Sequence, residues 1–142
     1  MRRIVVLSLL IIMVMTGCNK EDDLSQIFSG TFKITSYRYN HQYDNEKIKE
    51  LNQNLDLYCI TFTGNTFALI LNADNRVSGT WYADAESREM RMTLDTDVQT
   101  TSELARMIKN IIKNASSYKG DHNVVRIYES SSNFIDIDSG VK

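Results

Sequence analysis

Leu57-Tyr58-Cys59-Ile60-Thr61-Phe62-Thr63-Gly64-Asn65-Thr66-Phe67-Ala68-Leu69-Ile70-Leu71-Asn72 is the stretch whose reading decides the fold. Leu57 to Thr63 has strand character, and Gly64-Asn65 is a turn dipeptide that accepts positive φ. Thr66 to Asn72 should therefore pair back as a β-hairpin. Upstream, Thr31 to Tyr39 is rich in aromatic and β-branched residues. Phe32 and Ile34 point one way while Thr31, Lys33 and Thr35 point the other, which predicts a strand with one wet face. Downstream, Ala73-Asp74-Asn75 turns the chain into Arg76 to Tyr82, with Val77, Gly79 and Trp81 on one face. Ala85-Glu86-Ser87 turns it again, and Met90, Met92 and Leu94 alternate along the next strand. The polar segment 40–56 connects the first two strands, with a short helix expected around Glu46 to Leu51.

The pattern then changes period. Leu104, Met107, Ile108, Ile111, Ile112 and Ala115 recur at steps of three and four, which defines an amphipathic helix over about 102–116. Thr100, Thr101 or Ser102 supplies its N-cap. Such a stripe is expected to face a core rather than a partner. Val124 to Glu129 and Asn133 to Asp138 predict a last hairpin around Ser130-Ser131-Ser132. The expected fold is mainly β: seven strands in an antiparallel meander curled into a barrel or half-barrel. One helix is inserted before the last two strands. Curling removes or covers exposed strand edges.

At the N-terminus, Arg2 and Arg3 precede an apolar run from Ile4 to Met15. That run is shorter than the ~20 helical residues needed to span a hydrocarbon core of about 30 Å. It fits a secretory signal instead. Met15-Thr16-Gly17-Cys18 resembles the lipobox of bacterial lipoproteins, with Met15 in place of the usual Leu. The resemblance implies cleavage before Cys18 and triacylation of that residue. Each buried methylene contributes ~0.8 kcal/mol, so several chains hold a domain firmly on a bilayer. Asn19-Lys20-Glu21-Asp22-Asp23 is similar to the lysine-plus-acid tag of surface-exported lipoproteins of Bacteroidetes; a plain acidic tether would have the same composition. The expected organisation is a signal peptide over 1–17, a lipidated tether over 18–27 and a β domain over 28–142. The expected location is the outer membrane, lipid-anchored and surface-exposed, with a periplasm-facing arrangement as the alternative.

The whole chain carries 16 basic and 18 acidic residues. Without Arg2 and Arg3 the balance is 14 against 18, a net charge of −4. No basic block stands out, which argues against nucleic acid, whose binding rests on Lys and Arg neutralising phosphates. With Cys18 committed to lipid, Cys59 has no intramolecular partner and is expected to be a buried thiol. His41 and His122 fall in no metal-ligand spacing, so no metal and no cofactor are expected. Asp136 and Asp138 share a strand face, as do Asp95 and Asp97 near a strand end, and both pairs read as solvent-facing charges. No Gly-x-Ser-x-Gly elbow or phosphate loop occurs, so the chain is not expected to be an enzyme.

Three motifs carry a wider resemblance. Gly30 to Tyr37, Ile60 to Phe67 and Ser78-Gly79-Thr80-Trp81 resemble the small lipocalin-like lipoproteins of Bacteroidetes, across roughly residues 28–95. Phe32 stands where that pattern usually has Trp, and the helix after residue 100 departs from a plain eight-stranded lipocalin. The resemblance implies a calyx-like fold. Tyr37, Tyr39, Phe67, Trp81 and Tyr82 are the candidate ligand-binding residues, though interior packing would use the same side chains. The expected function is a non-enzymatic, membrane-anchored binding module for a small apolar ligand or a glycan. The alternative is a structural or interaction component of the cell envelope, with another envelope protein as partner.

Overall fold

The turn at Gly64-Asn65 forms as the sequence predicts. Cys59–Thr63 (β2) and Thr66–Asn72 (β3) pair across it in antiparallel register, with Cys59 opposite Ile70 and Thr63 opposite Thr66. Gly64 takes φ +58°, the left-handed conformation that glycine adopts without steric cost. The computed structural model of the chain describes residues 27–72, 75–95, 99–100 and 102–140. The signal sequence, Cys18, the tether to residue 26, Ala73-Asp74, Asp97 and Thr101 lie outside the described residues.

Six further strands complete the sheet: Gly30–Arg38 (β1), Asn75–Ala83 (β4), Met90–Leu94 (β5), Ser117–Gly120 (β6), Val124–Tyr128 (β7) and Phe134–Asp138 (β8). Two helices stand among the described residues, Asn45–Gln53 (α1) and Glu103–Lys113 (α2). The strand order is β5-β4-β3-β2-β1-β8-β7-β6, with every pair antiparallel. The two ends of that order approach each other. Glu89 bridges to Ser117, the Met90 amide donates to Ser116 O at 3.0 Å, and the Tyr118 amide donates to Arg88 O at 3.0 Å. Each strand thus neighbours its sequence neighbours, and β8 returns to β1. The result is a nearly closed up-and-down barrel.

Inward residues alternate as the period-two reading predicts. Ile34, Ile60, Leu69, Leu71, Met90, Val125, Ile127, Ile135 and Ile137 are fully buried. Gly79 lies inward without a side chain for a steric reason. A Cβ there would stand 2.9 Å from the Phe67 ring and overlap the Thr93 carbonyl oxygen. Filling a small barrel with side chains in this way makes the interior a packed core.

The helix α2 packs against β5, β7 and β8, where the β5–β6 pairing has run out. Leu104, Ala105, Ile108, Ile111 and Ile112 are buried, so the apolar stripe is core, as its spacing implied. Full burial of each Leu or Ile contributes about 1.5–3 kcal/mol. Ser102 is the N-cap and accepts from the Ala105 amide at 3.3 Å. The helix ends at Lys113 rather than near 116, because the chain must turn at Asn114 to enter β6. Three strands therefore follow the helix, not two. In β6 only Tyr118 is buried, so that short strand offers no alternating apolar signal. None of the helices among the described residues is long and apolar enough to cross a membrane.

Candidate functional site

The site begins with an irregularity in β1. Its register against β8 shifts between Ile34 and Ser36. A bulge of this kind reverses which face the following side chains take. Strict alternation from Phe32 and Ile34 would send Ser36 and Arg38 inward; instead Tyr37 is buried, at 2% exposure. Tyr39, two residues on, lies on the same side and packs partly against the core.

Beyond β1 the chain reverses sharply. Asn40 and His41 both have positive φ, 53° and 63°, the pattern of a two-residue turn in a tight hairpin. Tyr39 and Gln42 close that turn with paired 3.1 Å backbone bonds. The Asn40 amide donates to Asn133 Oδ1 at 2.8 Å, tying the turn to the β7–β8 connection. Asp44 then caps α1, its Oδ1 accepting from the Glu46 and Lys47 amides at 3.1 and 3.2 Å. Those bonds, that of Lys47 foremost, hold the Asp44 carboxyl below its ordinary range.

Tyr37, Tyr39, Asn40, Gln42, Asp44 and Lys47 form one wall of an open recess of about 310 Å³. Glu103, Arg106, Met107 and Asn110 of α2 form the other. Steps of three, four and seven from Glu103 place those four on one face of the helix, beside its apolar stripe. Lys47 spans the gap, with Nζ 3.4 Å from Asp44 Oδ2 and 3.4 Å from Glu103 Oε2. Burial works against the Lys47 ammonium, yet bonds to Glu103 and Asp44 raise its pKa above the ordinary lysine value. The Tyr37 phenol is pushed up by burial, with nearby Lys47 opposing that effect. It is therefore a neutral hydroxyl at the floor of the recess. Such a surface can hydrogen-bond hydroxyls and offers the ring of Tyr39.

The five candidate aromatics separate into three places. Tyr37 and Tyr39 meet in the recess. Phe67 is in the core, 2% exposed. Trp81 lies at the end of the barrel where β1 starts, its ring 5.1 Å from Phe28 and 5.7 Å from Phe62. Tyr82, 56% exposed, flanks an outer groove of about 480 Å³ with Thr80, Trp81, Glu89, Arg91 and Thr93. Asp44, Lys47, Glu103, Arg106 and Asn110 went unnoticed in the sequence. The helical spacing of Glu103, Arg106, Met107 and Asn110 was the available signal.

Of the two carboxylate pairs, Asp95, Asp136 and Asp138 fall among the described residues. Asp136 accepts a two-pronged bond from Arg126, 2.7 and 3.1 Å, across the β7–β8 pair. Asp138 accepts from the Gly140 amide at 2.7 Å. Asp95 is exposed at the end of β5. His41 and His122 are exposed in turns. Among the described residues no cluster of three or more His, Cys, Asp or Glu could hold a metal ion. Cys59 is a buried free thiol.

Residues 19–136 match the family model described as a domain of unknown function, DUF4847. The chain belongs to the DUF4847 family. A DUF4847 protein from Bacteroides vulgatus ATCC 8482, known from a crystal structure, is similar to it, with a TM-score of 0.63 and 23% identity. The match covers 84% of this chain and 99% of that one. At that identity the likeness establishes the barrel and nothing about a ligand. No curated protein matches. The family model ends inside β8 and begins one residue after Cys18, so it takes in the whole recess of this DUF4847 chain.

Proposed function

We propose that this DUF4847 chain is a non-enzymatic glycan-binding lipoprotein with a lipocalin-like barrel, anchored through Cys18 to the outer membrane and facing outward. The observation that carries the binding half is the recess between β1 and α2. Two tyrosines stand there beside three amide side chains and a set of charged groups. Sugars present many hydroxyls and a few apolar C–H faces, and this mixture of amides, charges and rings complements both. A glycan is favoured over an apolar ligand because Phe67, which would wall an internal cavity, packs into the core instead. Resemblance of Met15 to Cys18 to a lipobox supports the anchor. An origin of a family member in Bacteroides vulgatus fits the acidic tag that follows it.

The test is a glycan array probed with the full chain in detergent micelles. Binding that Tyr39→Ala abolishes without lowering the melting midpoint supports the reading; no binding to any glycan contradicts it. Incorporation of a labelled fatty acid, lost in Cys18→Ser, tests the anchor, and a label retained by that variant rejects it. A second reading rests on the outer groove beside Tyr82, which could instead seat an envelope protein. Crosslinking from a probe placed at Tyr82 distinguishes it: a specific adduct in membranes favours the partner, and none opposes it.

A further inference from the structure

The charges of the recess are unevenly matched. It holds two cations, Lys47 and Arg106, and two carboxylates, Asp44 and Glu103. Both carboxylates bond to Lys47. The Arg106 guanidinium has no side-chain hydrogen bond or ion pair among the described residues. It is exposed on the rim, one turn along α2 from Glu103 and one turn before Asn110. A guanidinium presents planar paired donors that match a carboxylate. The start of α2 adds its positive dipole end on the same side.

We infer that the recess selects acidic glycans, sugars bearing a carboxylate such as uronic or sialic acids, with Arg106 as the residue that reads the carboxylate. This rests on the glycan reading above and narrows it. Asn110 is then placed to bond a hydroxyl beside the acid, while Tyr39 supplies a ring face that any sugar can use. Lys47 plays no part in acid recognition, because its charge is already met by Asp44 and Glu103. Selectivity should fall as salt is raised, since both partners sit at the protein surface.

The experiment pairs each neutral glycan with its acidic counterpart: hexose oligosaccharides with hexuronates, and asialo-glycans with sialylated ones. The full chain is titrated in micelles alongside Arg106→Gln and Tyr39→Ala. The expected result is a preference of about tenfold or more for at least one acidic member, the scale of a charge-assisted hydrogen bond. Arg106→Gln should erase that preference with the melting midpoint unchanged, whereas Tyr39→Ala should weaken both members of a pair without erasing it. Equal affinity for neutral and acidic members overturns the acidic selection and leaves the glycan reading intact. A preference that survives Arg106→Gln overturns the assignment of Arg106. No binding to any member overturns both.

Discussion

Replacing Tyr118 by Phe should make the protein more stable. Tyr118 is fully buried, and its hydroxyl has no hydrogen-bond partner among the described residues. Burying a hydroxyl without a partner costs about 1–3 kcal/mol on protein scales. The ring, by contrast, is well used. It packs edge-on against Phe28 at 5.0 Å, and the Arg88 guanidinium lies 5.4 Å from its centre. Phenylalanine keeps both contacts and removes the stranded oxygen. The small void left behind takes back part of the gain, so the net change should be about +1 kcal/mol. For a domain of this size that corresponds to roughly 4 °C in melting midpoint. Urea unfolding of both chains at matched slope, together with calorimetry, reads the difference directly. A loss of about 1 kcal/mol or more would refute the reasoning, because it would mean that the hydroxyl has a partner worth keeping.

Ile108→Ala should cost about 2–5 kcal/mol, the range for truncating a fully buried aliphatic side chain. A cost below 1 kcal/mol in chemical unfolding would mean that α2 is a detachable surface rather than core. Asp44 and Asp121 both have lowered pKa values, each chiefly from backbone amides donating to the carboxylate. A depressed carboxyl stabilises the fold above its ordinary pKa, and that contribution fades as pH falls through the lower folded value. The stability gap between the native chain and the Asp44→Ala, Asp121→Ala double variant should therefore be constant above about pH 5 and shrink below about pH 4. A gap unchanged down to pH 2 would contradict the assignment. Burial raises the Cys59 thiol pKa and shields its sulfur. Alkylation by iodoacetamide at pH 8 should be many times slower in the native protein than in urea, and equal rates would disprove that burial.

The barrel was largely legible in the chain, and the site largely was not. Period-two alternation gave the hairpin on Gly64-Asn65 and the strands carrying Val77, Gly79, Met90 and Met92, because their side chains divide cleanly between core and solvent. The helical stripe through Leu104, Ile108 and Ile111 was equally plain. Two features escaped, for physical reasons. The short strand at Ser117–Gly120 buries one side chain and so has no measurable period. The β1 bulge changes the facing of Tyr37 and Tyr39 without any proline or glycine to mark it. That bulge matters most, because it puts those tyrosines into the recess. The rest of the recess comes from the Asn40-His41 turn, the start of α1 and one flank of α2. Such groups meet only once the barrel has closed, and no spacing along the chain records it.

On the proposed reading, the β1–α2 recess is where this protein meets its ligand. The most direct test is a nuclear magnetic resonance titration of the isotope-labelled full chain with a glycan that binds on the array. The amides of Tyr39, Gln42, Lys47, Arg106 and Asn110 should shift together and saturate at one affinity. Shifts confined to Thr80, Tyr82, Arg91 and Thr93, or to the Phe28 and Trp81 end of the barrel, would contradict it.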